Sequence, residues 1–108
     1  MSNHDHQQRI RLQVQPRPIT VELLFRMFGS VLIPVEEARD RFMPYMNSET
    51  FKGVPGSPRL PIPVTTLEDG NRALRFFEIH HLAAHIEHRA GLADAELERV
   101  LREHTETT

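Results

Sequence analysis

The sequence predicts a mainly α-helical domain with one small β-hairpin, and three observations predict it. Residues 20–28 and 34–42 each carry an apolar stripe at helical spacing. Two extended stretches, 62–67 and 72–77, flank Asp69 and Gly70, a turn pair whose members both accept positive φ. From residue 79 onward, apolar residues recur again at helical spacing. The predicted order is helix, helix, short helix, hairpin wing, helix, helix. A helix pair followed by a two-stranded hairpin is how a winged helix-turn-helix is assembled.

The elements follow in order from local chemistry. Residues 1–18 read as an arm: Pro16 and Pro18 oppose helix, while Ile10, Leu12 and Val14 alternate with Arg9, Arg11 and Gln13. That alternation fits a short edge strand or a flexible tail equally well. The domain is expected over 19–91. Thr20 is the expected N-cap of the first helix, with Glu22 near its positive end, and Leu24, Met27 and Phe28 share one face before Gly29 stops it. The second helix starts at Pro34, whose missing N–H costs nothing there. Val35, Ala38 and Phe42 form its stripe, and Pro44 ends it.

Asn47 or Ser48 can cap a short third helix through Lys52, beyond which Gly53, Pro55, Gly56 and Pro58 forbid continuation. In the hairpin's second strand, Leu74 and Phe76 are expected on one face, Arg75 on the other and Arg72 near the tip. A helix over 80–90 then buries Ile79, Leu82, Ala83 and Ile86 and closes at Gly91. A last helix, capped by Asp94 and carrying Leu97, Val100 and Leu101, occupies 92–108 and frays into its tail.

Composition narrows the function classes. The chain has 108 residues, no cysteine and a formal net charge of -2, which suits one domain in a reducing cytoplasm and excludes disulfides and thiolate chemistry. The polar first residues lead to the expectation of no secretory signal, and no apolar run in the sequence is long enough to span a bilayer. The charge is uneven: residues 1–51 balance six arginines against six acids, whereas 52–75 set Lys52, Arg59, Arg72 and Arg75 against Glu68 and Asp69. Residues 76–108 carry three arginines against seven acids. A basic middle therefore precedes an acidic C-terminal third, and such local surplus governs attraction to phosphate more than the net sum does.

Through Leu23-Leu24, the Ile33-Pro34 helix start with Glu36 and Glu37, the Leu60-Pro-Ile-Pro-Val64 run and Leu82-Ala83, the chain from Leu23 to Arg89 resembles the pyocin activator protein family, and more distantly the excisionase and AlpA-type winged helix-turn-helix regulators. The resemblance is carried by Leu23, Leu24 and Phe28, then Ile33, Pro34, Glu36, Glu37 and Phe42. Its most specific part is Leu60, Pro61, Ile62, Pro63 and Val64, then Arg72 to Arg75, then Leu82, Ala83, Ile86 and Glu87. The resemblance implies a transcriptional activator that binds promoter DNA of a prophage or bacteriocin-type gene cluster. Where members of that family run a basic helix into Leu-Pro, this chain places Gly53, Pro55, Gly56 and Pro58.

The expected DNA-binding residues are Ser48, Thr50 and Lys52, in the first turn of a recognition helix, and Arg59, Arg72 and Arg75 around the wing. Short polar side chains at such a turn reach base edges, and wing arginines favour phosphates or the minor groove. The plain alternatives are a capped surface helix and a solvated hairpin face. His81, His85 and His88 fall on one helix face opposite Ile79, Leu82 and Ile86, where an exposed polar stripe is expected and no metal is assigned. No nucleophile elbow, HExxH pattern or phosphate-cradling glycine loop occurs, so neither catalysis nor a cofactor is expected. The expected partners are double-stranded DNA, transcription machinery and, through the last helix, a second copy of the chain; no membrane is expected. Two rival readings stand beside this one: a protein-interaction module that lost DNA binding, and an excisionase-like DNA-bending protein.

Overall fold

A computed structural model describes residues 15–107. The elements are α1 (Pro18–Phe28), β1 (Leu32–Pro34), α2 (Val35–Phe42), α3 (Ser48–Phe51), β2 (Phe76–Glu78) and α4 (Ile79–Thr107). The chain is mainly helical with a small two-stranded antiparallel sheet, consistent with a winged helix-turn-helix. The alternating segment Ile10 to Val14, with Arg9 and Arg11, lies outside the described residues.

Helix α1 begins two residues before the expected cap. Pro18 occupies its first turn and Arg17 the N-cap position, because a fixed φ near -65° and an absent donor suit proline there. Thr20 therefore lies inside the helix, and its hydroxyl reaches Glu87 of α4 at 2.5 Å. The inward face is Val21, Leu24 and Phe28, while Met27 is exposed, contrary to expectation. Gly29 stops the helix at φ 74°, its N–H donating to the Phe25 carbonyl at 2.7 Å. In α2, Val35 and Ala38 are buried as predicted. Phe42 meets Phe28 edge to face, with ring centroids 5.9 Å apart.

The sheet is not the local hairpin that the sequence suggests. Strand β2 pairs with β1 in the register Leu32 with Glu78, Ile33 with Phe77 and Pro34 with Phe76. The two arms of the expected hairpin meet only at Thr65 and Phe76, through hydrogen bonds of 2.8 and 2.9 Å. Pro61 and Pro63 cannot donate to a ladder, which limits pairing on that arm. Strand β2 thus lies between β1 and Thr65, and residues 66–75 form the wing loop. This pairing also inverts the expected faces. Phe77 is fully buried opposite Ile33, whereas Leu74 is 74% exposed, since a one-residue shift exchanges the two sides of a strand.

The core gathers Ile33, Phe51, Ile62, Phe77, Ile79 and Ala83, with Leu24, Val35, Ala38 and Leu82 around them. The proline- and glycine-rich stretch after α3 belongs to this core. Val54 and Leu60 are buried, and Gly56, at φ 80°, donates its N–H to the Leu60 carbonyl at 3.0 Å. A left-handed residue is required at that turn, which is why glycine occupies it.

The two C-terminal helices expected from the sequence are one. Helix α4 runs 29 residues, from Ile79 to Thr107, straight through Gly91, whose φ is not positive. Asp94 is an interior residue, not a cap, and the expected frayed tail continues the helix. A glycine inside a helix costs only about 0.5–1 kcal/mol relative to alanine, too little to force a break. Ile79, Leu82 and Ala83 are buried, but from His88 to Glu106 every residue is exposed. The radius of gyration is accordingly 17.0 Å, against about 13 Å for a compact chain near this length.

Candidate nucleic-acid interface

Helices α2 and α3, joined by residues 43–47, form the helix-turn-helix, and Arg39 braces it. Its guanidinium donates to Glu36 at 3.0 Å and to the Met46 carbonyl at 2.8 Å, and pairs with Asp40 at 2.8 Å. Only 17% of the Arg39 side chain is exposed, so these charge-assisted bonds fix the turn between the helices. Asn47 caps α3, its side-chain oxygen accepting from the Thr50 N–H at 2.8 Å. Phe51, fully buried, pins the other side of the turn.

Ser48, Thr50 and Lys52 consequently stand on or beside a single exposed helical turn. They are not equally available. The Ser48 hydroxyl donates to Glu36 at 3.1 Å, and the Lys52 ammonium lies 3.5 Å from Glu49. Thr50 presents an exposed side chain. From the wing, the Arg75 guanidinium donates to the Lys52 backbone carbonyl at 2.9 Å. This bond joins the base of the wing to the exit of α3, and sequence spacing gave no sign of it. Arg72 is exposed further along the same loop.

Arg59 lies at the edge of a shallow groove that it lines with Tyr45, His85, His88 and Arg89, and among the described residues no hydrogen bond or ion pair joins it to Lys52, Arg72 or Arg75. The Arg75 bond thus joins the wing to the exit of α3, while Arg59 shares its groove with Arg89. Tyr45, 77% exposed in the helix-turn-helix turn, was not singled out from the sequence. Its signal was an aromatic between Pro44 and Asn47, outside both helical stripes. Leu67 and Leu74, exposed on the wing loop, were missed as an uncovered apolar pair.

Some of the acids of the C-terminal third are paired within their own helix. Glu96 and Glu103 bond to Arg99 of their own helix at 2.5 and 2.6 Å, and the stretch that carries them is exposed throughout. Arg99 pulls the Glu96 carboxyl below the ordinary carboxylate range. At the root of that stretch, Glu87 accepts from Thr20 and from the Arg17 backbone and guanidinium. Chiefly through the Thr20 hydrogen bond, its carboxyl also lies below the usual range.

The histidine face of α4 is less open than expected. His81 and His88 are exposed, but His85 is half-buried, because Gly56, Pro61, Ile62 and Pro63 form the opposite wall of a groove beside it. Burial, then the nearby Arg89 and His88 charges, lowers the His85 pKa. Burial raises the Glu78 carboxyl, but hydrogen bonds led by that from His80 outweigh it and leave it below the ordinary value. Among the described residues, no group of three or more His, Cys, Asp or Glu is placed to hold a metal ion. No helix among them is long and apolar enough to cross a membrane.

Residues 20–93 match the family described as Pyocin activator protein PrtN. The match takes in the helix-turn-helix, the wing and the buried half of α4, and stops at the third residue of the exposed stretch beyond Ala90. No curated protein and no solved structure matches the chain.

Proposed function

The chain belongs to the pyocin activator protein family, and from that premise we propose that it is a DNA-binding transcriptional regulator, an activator of a prophage or bacteriocin-type gene cluster. The observation that carries this reading is the 2.9 Å bond from Arg75 to the Lys52 carbonyl. It ties the wing loop, which carries Arg72 and Arg75, to the turn that carries Lys52.

In this reading, Lys52, Arg72 and Arg75 touch phosphates and set the register, since backbone contacts position a protein without reading sequence. Thr50, with Ser48 when it leaves Glu36, reaches base edges in the major groove. Arg59 and Arg89 supply a second phosphate-binding patch. The protein acts by occupying duplex DNA near a promoter and engaging transcription machinery, in the cytoplasm, and it performs no catalysis.

The test is binding of the purified chain to cognate-locus and random duplexes across a salt series. Affinity should fall steeply with salt, and the Arg72→Ala/Arg75→Ala variant should bind more weakly. Its plot of log affinity against log salt should be shallower by about one for each phosphate no longer neutralised. Absence of binding at low salt overturns the reading. One observation favours a protein-interaction module instead: α3 is a single turn, with Ser48 and Lys52 facing Glu36 and Glu49. Failure on DNA together with retention of a protein from cell extract would select that rival. A DNA-bending role is separated from promoter activation by circular-permutation gel shifts, where bending alters mobility with site position.

A further inference from the structure

The apolar stripe of α4 does not end where its cover ends. Ile79, Leu82, Ala83 and Ile86 are succeeded on the same side of the helix by Ala90, Ala93, Leu97, Val100 and Leu101. At about 100° per residue all of these lie within roughly 60° of Leu97. From Ile86 the steps to Ala90, Ala93, Leu97 and Val100 alternate between four and three residues. That is the heptad spacing of a seam that receives another helix. The first part is filled by the domain: Ile79, Leu82 and Ala83 are buried, and α1 lies against this half, tied to it through Glu87. The second part is bare. Leu97 is 58% exposed, Val100 45% and Leu101 55%.

We propose that this distal seam of α4 is a self-association surface, covered in solution by the same seam of a second copy of the chain. Within one copy the described helices are already committed. Helix α1 sits on the proximal half of α4, while α2 and α3 are packed in the helix-turn-helix. The described residues just before α1 lie elsewhere. Gln15 and Pro16 pass beside His81, Ala84, His85 and His88, on the opposite side of α4. A helix standing alone in water over this length is marginal, and this one contains Gly91 where its cover ends.

A second α4 fits what is left. Its seam is self-complementary about a two-fold axis. The charged flank is already partly neutralised in each copy, because Arg99 holds both Glu96 and Glu103, so like copies meet with reduced repulsion. In a parallel pairing, Arg89 of each copy falls opposite Asp94 of the other, five residues on, the spacing of an attractive interhelical pair. The apolar contact, a few side chains per copy, is well under the ~800 Å² per partner of a standard interface. Association is therefore expected to be weak and to vary with concentration.

Sedimentation velocity of the full chain across a wide concentration series, without DNA, tests this. The mass should rise from 12.5 kDa toward twice that value, and a Leu97→Asp/Leu101→Asp variant should stay at the monomer mass throughout. Both positions are exposed in the single copy, so the variant retains its core, which a cooperative thermal transition verifies. A wild-type mass that remains at the monomer value at the highest concentration overturns the proposal, including the case in which another part of the same chain covers the seam. So does a variant that associates as wild type does. Because no DNA is present, this outcome is independent of the regulator reading.

Discussion

The two halves of α4 carry the same pattern and meet opposite surroundings. Ile79, Leu82 and Ala83 are nearly inaccessible, whereas Leu97, Val100 and Leu101, at equivalent angles around the helix, are about half exposed. Periodicity therefore specifies which face of a helix is apolar, and says nothing about what covers it. The proximal face is satisfied by residues far away in sequence, through α1, β1 and the loop after α3. On the distal half, Arg99 pairs with Glu96 and Glu103 of the same helix, and Leu97, Val100 and Leu101 remain exposed.

Mutations in the two halves should separate accordingly. Leu82→Ala should cost about 2–5 kcal/mol, as burial and cavity terms both apply, out of a total of about 5–15 kcal/mol for a domain. Leu97→Ala, assayed in dilute protein, should change stability by less than about 0.5 kcal/mol. Urea unfolding of both variants checks this, and equal losses would mean that the two halves are covered alike. At the boundary between the halves, Gly91→Ala should stabilise the helix by about 0.5–1 kcal/mol. An added Cβ there meets nothing within 4 Å. The readout is helical ellipticity and the unfolding midpoint, and a loss of stability would mean that the helix needs its glycine.

Acid titration sharpens the same boundary with smaller effects. The His85 pKa lies below its ordinary 6.5 in the folded chain, so the unfolded chain takes up the proton first. Its contribution is present above pH 6.5 and is lost as the pH falls through the lowered value. His85→Asn should flatten the stability profile in mildly acidic solution. Glu87, also depressed, from 4.5, contributes above that value and loses the contribution as pH falls through the folded pKa. Glu87→Gln should remove this acid limb and lower the midpoint slightly at neutral pH, a small effect because the paired Arg17 is largely solvated. Thermal scans from neutral to acidic pH measure both.

What was legible in the sequence was local. The Val35–Ala38 stripe, the Asn47 cap, the stop after Lys52 and the Gly29 terminus each rest on residues within a turn or two of one another. What was not legible depended on distant partners. Strand β1 is only three residues long and has no alternation of its own, and it exists because Ile33 pairs with Phe77. With that partner hidden, the alternation groups Leu74 with Phe76 and leaves Phe77 on the face of Arg75. Gly91 resembled a stop because helix continuation is decided by a difference of under about 1 kcal/mol. At the candidate interface, Lys52, Arg72 and Arg75 were identifiable by charge. The bond that unites two of them was invisible, as was the loop that half-buries His85. The groove that Arg59 shares with Arg89 was equally invisible, since it joins residues thirty positions apart.

The bond from Arg75 to the Lys52 carbonyl has a thermodynamic corollary. An arginine that spends one donor on a backbone carbonyl has fewer rotamers to surrender when a ligand arrives, and the loop bearing it is tethered in advance. Long cationic side chains ordinarily lose about 0.5–1.5 kcal/mol of rotational freedom on immobilisation at an interface. Here part of that loss falls on folding instead. The side chain's remaining donors are held ready in one direction, so the wing meets a ligand as a strut attached to α3 and not as a free arm.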